Sequence, residues 1–211
     1  MTLSAAILAG GHARRFGGRD KGALLVDGRS IRERQLAELA TLTSDILIIG
    51  GQPADERRDA QPRLAAGATR PRHIRTDRVP GCGPLGGLHT ALLESAGDTT
   101  IVIACDMPYV SAALVRHLSA LARDSDVVVP YTRRGYHPLC AVYTRACVEP
   151  VARQLAARRL KMTDLINLGD LRVRTVTVEE LCAFGDVHRL LANVNSPADH
   201  RELEALQGHQ L

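Results

Sequence analysis

A three-layer α/β domain, with a mainly parallel sheet between two layers of helices, is the fold this 211-residue chain predicts. Three observations predict it. Short apolar runs recur along the chain, several of them unbroken, such as Ile46-Leu47-Ile48-Ile49 and Ile101-Val102-Ile103-Ala104. Runs of that kind suit strands buried on both faces. Segments with helical spacing alternate with them, and a glycine-rich stretch follows the first run directly, where open α/β sheets carry their ligand loops. At this length one domain over residues 1–211 is expected, without internal repeats.

Strands are expected at residues 4–9, 45–50, 72–76, 99–105, 126–131, 139–143 and 171–178. Between the first two, Ser30-Ile31-Arg32-Glu33 is a capping box opening a helix that carries Ile31, Leu36, Leu39 and Leu42. Residues 52–71, rich in Ala, Arg, Asp and Pro, read as a surface excursion from the domain. Pro80-Gly81-Cys82-Gly83-Pro84-Leu85-Gly86-Gly87 reads as a stiff loop ahead of a helical segment at residues 88–93. Ser111 can cap a helix bearing Leu114, Val115, Leu118 and Leu121, and Ser196-Pro197-Ala198-Asp199 can start a last helix with Pro at its first position.

Composition narrows the functional classes. Apolar residues make up 45% and charged residues 24%, ordinary for a globular domain, so the core rests on aliphatic side chains where aromatics reach only 3%. No apolar run approaches the ~20 residues of a membrane helix, and no signal-peptide pattern opens the chain, so a cytoplasmic protein without a membrane partner is expected. Five cysteines (Cys82, Cys105, Cys140, Cys147 and Cys182) form no C-x-x-C pair and are expected as small buried thiols. A formal charge of +4 admits a nucleic acid, but the arginines are dispersed and no stacking set of aromatics accompanies them. A polyanionic small molecule suits that charge at least as well.

The chemistry concentrates in residues 8–21, Leu-Ala-Gly-Gly-His-Ala-Arg-Arg-Phe-Gly-Gly-Arg-Asp-Lys. Gly10, Gly11, Gly17 and Gly18 let backbone N–H groups approach an anion, while Arg14, Arg15 and Lys21 supply charge against a polyphosphate. It fits neither the Walker pattern, since Lys21 is followed by Gly22, nor the dinucleotide pattern, since the first two glycines are adjacent. Asp106-Met107-Pro108 ends the expected strand at 99–105, and a carboxylate there can hold Mg²⁺ or simply satisfy a turn. His137-Pro138-Leu139 and Asn193-Val194-Asn195-Ser196-Pro197 are two further polar segments, the second with two amides on one side of an extended stretch.

Together, Leu8-Ala9-Gly10-Gly11, Arg15-Phe16-Gly17-Gly18, Asp20-Lys21, Gly83-Pro84-Leu85-Gly86-Gly87, Asp106-Met107-Pro108, His137-Pro138-Leu139 and Asn193-Val194-Asn195-Ser196-Pro197 resemble the molybdenum cofactor guanylyltransferases, in that family's motif order and over residues 4–207. The wider nucleotidyltransferases share the first loop as Leu-Ala-Ala-Gly; Gly10 with Asp20-Lys21 favours the guanylyl branch. The resemblance implies a Rossmann-like nucleotidyltransferase fold and transfer of GMP from GTP to the terminal phosphate of molybdopterin, with release of pyrophosphate. It implies that Leu8, Ala9, Gly10 and Gly11 contact the nucleotide, that Lys21 binds its phosphates, and that Asp77 lies in the guanosine site. Asp106 would hold Mg²⁺, and Lys21, Asp106 and Arg15 would carry the catalysis.

Gly18, Gly83, Gly87, Asn193 and Asn195 are assigned to the pterin side, the last four on segments taken to lie away from the triphosphate loop. The same resemblance implies a monomer with GTP and molybdopterin as small-molecule partners and transient contacts with cofactor-delivery proteins. Two departures accompany it. Where the family often has Asn after the second strand the chain reads Ile49-Gly50-Gly51, and Phe16 replaces a frequent Met. Two other readings stay open: a cytidylyltransferase acting on the same cofactor, and a non-catalytic protein binding a nucleotide or a nucleic acid.

Overall fold

The computed structural model describes residues 1–9, 21–50, 71–74, 77–194, 196, 198, 199 and 201. The sheet strands are β1 (Leu3–Leu8), β4 (Ile46–Ile49), β5 (Arg72–Ile74), β6 (Thr99–Ala104), β7 (Val127–Thr132), β8 (Gly135–Tyr136), β9 (Cys140–Thr144) and β10 (Val173–Val176). Their order is β10-β7-β9-β6-β1-β4-β5, with β8 paired to β7. The seven expected strands are all present, within a few residues of their expected ends.

The four neighbours β6, β1, β4 and β5 run parallel, as do β10 and β7. The short β8 is antiparallel to β7, and β9 lies between β6 and β7, antiparallel to both. Its unbroken Cys-Ala-Val-Tyr-Thr sequence has the look of a buried parallel strand because burial on both faces, and not pairing direction, writes that pattern.

Alternation along the strands divides the core into two layers. Ala5, Ile7, Ile46, Ile48, Ile101, Ile103, Val128 and Val142 face α1 (Ile31–Ala40) and α3 (Ala112–Leu121) through Leu36, Leu39, Leu114, Val115 and Leu118. Ala6, Leu8, Leu47, Ile49, Val102, Val127, Val129 and Tyr143 face α2 (Gly83–Glu94), α4 (Val148–Ala156) and α5 (Met162–Ile166) through Leu85, Leu88, Val151, Leu155 and Leu165. Each such aliphatic side chain, taken from water, contributes about 1.5–3 kcal/mol before the cost of ordering the chain.

The caps expected at α1 and α3 are formed. Ser30 Oγ accepts from Glu33 N while Glu33 accepts from Ser30 N, and Ser111 Oγ accepts from Leu114 N. Ser196 Oγ likewise accepts from Asp199 N at 3.1 Å, the start of the expected last helix.

Three corrections follow from the structure. Residues 83–87 are the first turns of α2 and not a loop ahead of it; Pro84 occupies the helix start, where no N–H is needed. A small hairpin, β2 (Leu25–Val26) with β3 (Arg29–Ser30), lies outside the expected strands, turned by Asp27 at φ 50° and Gly28 at φ 77°. Asp-Gly favours just such a turn, because both central residues need positive φ. The cysteines divide: Cys82, Cys140 and Cys147 are buried, but Cys105 is half-buried and Cys182 exposed. Burial pushes the Cys140 and Cys147 thiols up to about 12, so both stay protonated. The short helices α6 (Val178–Leu181) and α7 (Val187–Leu190) close the face covered by α1 and α3. No described helix is long and apolar enough to cross a membrane.

Candidate active site

β1 and β6 are parallel neighbours, so their carboxyl ends emerge side by side: Leu8 pairs with Ala104, and Cys105 N donates to Leu8 O. Ala9 N donates in turn to Ile49 O. The stretch from β1 and the turn bearing Asp106 therefore leave the same edge of the sheet, the usual place for a ligand in this architecture. Lys21 returns to that edge and sets Nζ 3.6 Å from Asp106 Oδ2.

Asp106 is 9% exposed. Its Oδ1 is buried with no hydrogen-bond partner among the described residues. Burial pushes its carboxyl above the usual carboxylate range, and the Lys21 ammonium pulls it part of the way back. A buried acceptor beside one cation is a donor set that suits a hard metal ion, which takes one or two carboxylates together with phosphate oxygens. Among the described residues no cluster of three or more metal-ligating side chains exists, so the other ligands would come from a substrate or water.

The turn carrying Asp106 is held from α1. The Gln35 carboxamide, 1% exposed, donates to Ala104 O at 2.8 Å and Met107 O at 2.9 Å, bracketing Asp106 on both sides. Arg34 Nε donates to Pro108 O, and its guanidinium also meets Asp27 at 3.1 Å. The Tyr109 ring lies under two guanidinium groups, Arg189 at 4.1 Å and Arg34 at 5.5 Å from its centroid. Val194 N donates to Asp106 O at 2.7 Å.

Sequence reasoning did not single out Gln35, because a lone Gln on a helix carries no motif; only the packing of α1 brings it to carbonyls 69 and 72 residues away. Replacing Gln35 by Leu leaves those buried carbonyls short of a donor, and we expect a loss of about 1–3 kcal/mol in stability. The turn carrying Asp106 also loosens, so any affinity of that carboxylate for a divalent cation is expected to fall. Chemical denaturation and a metal titration of the same protein check both effects.

Residues 83–87 and 193–195 were expected away from the triphosphate loop, of which residues 10–20 lie outside the described residues; Gly87 packs directly against the last residue of β1. A Cβ at Gly87 would stand 3.2 Å from Leu8 Cδ1, so glycine lets α2 approach the sheet closely. Asn193 directly precedes Val194, whose amide is bonded to Asp106, so it lies near that residue.

Gly83, at φ 59°, begins α2. Asp77 stands over the same turn, with Oδ2 3.6 Å from a Cβ placed at Gly86, and burial raises its carboxyl above the usual range. Thr90 ties the two together, donating to Gly86 O and accepting from Arg78 N. Gly10, Gly11, Arg15, Gly18 and Asn195 lie outside the described residues.

His137-Pro138-Leu139 reaches the same edge through β9, since Ala104 N donates to Leu139 O. His137 Nε2 meets Thr132 Oγ1 at 2.9 Å, and burial together with the charge of Arg134 holds its imidazole below the ordinary value, so it is neutral at pH 7. Tyr143, from below, donates its hydroxyl to Pro138 O at 2.8 Å.

The chain resembles known proteins over nearly its full length. It is 32% identical over 200 residues to a molybdenum cofactor guanylyltransferase of Desulfosudis oleivorans, covering 94% of this chain and 93% of the relative. It is 35% identical over 196 residues to a probable molybdenum cofactor guanylyltransferase of Pelotomaculum thermopropionicum, covering 92% and 87%. The crystal structure of molybdopterin-guanine dinucleotide biosynthesis protein A from Archaeoglobus fulgidus shares the fold, with a TM-score of 0.73 at 24% identity over 97% of this chain and 98% of that one. The profile of the MobA-like NTP transferase domain matches residues 5–170, which contain most of β1 together with Lys21, Asp77, α2 and Asp106. The chain belongs to the MobA-like NTP transferase domain family and is a nucleotidyltransferase.

Proposed function

We propose that the protein transfers GMP from GTP to the terminal phosphate of molybdopterin, releasing pyrophosphate and forming the guanine dinucleotide form of the cofactor. The observation that carries this reading is the buried Asp106 carboxylate, with one oxygen unpartnered and the other facing Lys21, at the mouth of β1 and β6. The names of the relatives supply the substrate class.

An oxygen of the pterin phosphate attacks the α-phosphorus of GTP in line. The bond from that phosphorus to the bridging oxygen breaks, and pyrophosphate carries the electron pair away. The attacking phosphate is already ionised near neutral pH, so positioning and charge neutralisation carry the catalysis. Leu8, Ala9, Gly10 and Gly11 approach the nucleotide through backbone, and Asp77 takes the guanosine. Lys21 and Arg15 stabilise the charge that develops on the phosphates. Mg²⁺ held by Asp106 would supply further neutralisation of the phosphate oxygens. Gly18, Gly83, Gly87, Asn193 and Asn195 serve the pterin.

Incubation with molybdopterin, Mg²⁺ and each nucleoside triphosphate in turn, followed by a pyrophosphate assay, tests the reading. Release with GTP alone is the expected result. Release with CTP alone would make the protein a cytidylyltransferase, and release with none would leave it a binding protein.

A further inference from the structure

The turn between β7 and β8 holds an aromatic pair that the reaction outlined above does not use. Tyr131 and Tyr136 are directly opposite in the antiparallel ladder, and their rings meet edge to face with centroids 4.9 Å apart. The chain has only two Phe, four Tyr and no Trp, and Tyr131 is 48% exposed. It is the one aromatic among the exposed large apolar side chains of the described residues. An aromatic ring left in water, with its partner ring braced behind it, offers a flat face for a planar ligand.

The sheet register locates that face. β7 pairs with β9 through Val127↔Tyr143 and Val128↔Val142, and β9 pairs with β6 through Ile103↔Cys140. Val127 is level, through Tyr143, with Thr100 of the parallel strand β6, so four residues further on Tyr131 comes roughly level with Ala104, two residues before Asp106. Two strand spacings separate β7 from β6, about 10 Å. Val127 and Val129 face α2 and α4, so Tyr131 at the same parity faces that side as well, and Tyr136 packs against the same layer. The ring pair thus overhangs the carboxyl edge on the α2 side. Asp77, which follows β5, stands at the opposite flank of Asp106, since β5 is three places from β6 in the other direction. The guanosine position and the ring pair lie on either side of the transfer point. The turn itself, Arg133-Arg134-Gly135, adds two exposed cations to the same wall.

We propose that the Tyr131–Tyr136 pair is the stacking wall for the planar ring of the acceptor, and that it selects a fused heteroaromatic acceptor over a plain phosphate monoester. The inference rests on the reading of the acceptor as molybdopterin. Tyr131 supplies the face and Tyr136 fixes its tilt. Arg133 and Arg134 attract the anionic substituents of the acceptor.

The test is steady-state pyrophosphate release with GTP and molybdopterin by the wild type, Tyr131→Ala and Tyr131→Phe. Base-on-aromatic stacking of this kind changes affinity by roughly 5- to 150-fold when the ring is removed. Tyr131→Ala is therefore expected to raise the molybdopterin KM within that range, leaving the GTP KM and the melting temperature unchanged. Tyr131→Phe, which keeps the ring, is expected to restore the wild-type KM. An unchanged molybdopterin KM in Tyr131→Ala, or a rise confined to the GTP KM, overturns the assignment while the guanylyltransferase reading stands. A wild-type protein that releases no pyrophosphate with this pair of substrates overturns that reading instead, and the stacking assignment with it.

Discussion

Asp106→Asn is expected to lower turnover by roughly 10²-fold or more, the loss seen when one preorganised electrostatic contact is removed. The substitution keeps the size of the side chain and takes away the charge that pairs with Lys21 and would hold the metal. Its effect on stability has the opposite tendency. Burial raises the Asp106 carboxyl in the folded protein, so the folded state holds that proton more tightly than the unfolded chain does. The stability associated with the protonated form is present below the unfolded pKa and is lost as pH rises through the raised folded one. Asn imitates the protonated group at every pH. At neutral pH the variant should therefore melt no lower than the wild type, while it loses activity. Turnover at saturating Mg²⁺ and a melting curve on one preparation decide; near wild-type turnover would remove Asp106 from the role of metal ligand.

Tyr143→Ala is the substitution expected to cost most in stability. Tyr143 is fully buried in the layer between the sheet and α2, α4 and α5, opposite Thr100 on β6 and Val127 on β7. Truncating a packed aromatic to Ala costs about 3–5 kcal/mol. In a domain of this size that lowers the melting temperature by roughly 6–20 °C. Tyr143→Phe separates the ring from the hydroxyl. It keeps the packing and loses only the bond to Pro138 O, about 0.5–1.5 kcal/mol. A Phe variant as unstable as the Ala variant would mean that the hydroxyl, and not the ring, holds β9 in place.

The two substitutions separate function from stability along one chain of contacts. Tyr143 anchors Pro138, the next residue after Pro138 bonds to Ala104, and Ala104 opens the turn that carries Asp106. In the proposed reading activity depends on a buried charge that opposes folding, and the surrounding apolar layers supply the stability that tolerates it.

Local chemistry wrote much of this protein legibly into its sequence. Ile46-Leu47-Ile48-Ile49 and Ile101-Val102-Ile103-Ala104 announce buried strands because neither face of those strands meets water. Ser30 with Glu33, and Ser111 before Leu114, announce helix starts because a cap bonds within three residues of itself. Asp106 is legible as a candidate site residue because it follows a buried strand closely. Three other features were decided only by the tertiary structure. The direction of β9 depends on which strands it enters between, and its own apolar run is the same either way. Gly83–Gly87 became helix because Gly87 allows α2 to lie against Leu8, a contact between segments far apart in the chain. Gln35 acquired its role when α1 docked and met two carbonyls on the other side of the core. A bond within one turn of chain leaves its mark in neighbouring residues, whereas a bond across the core exists only once the layers have closed.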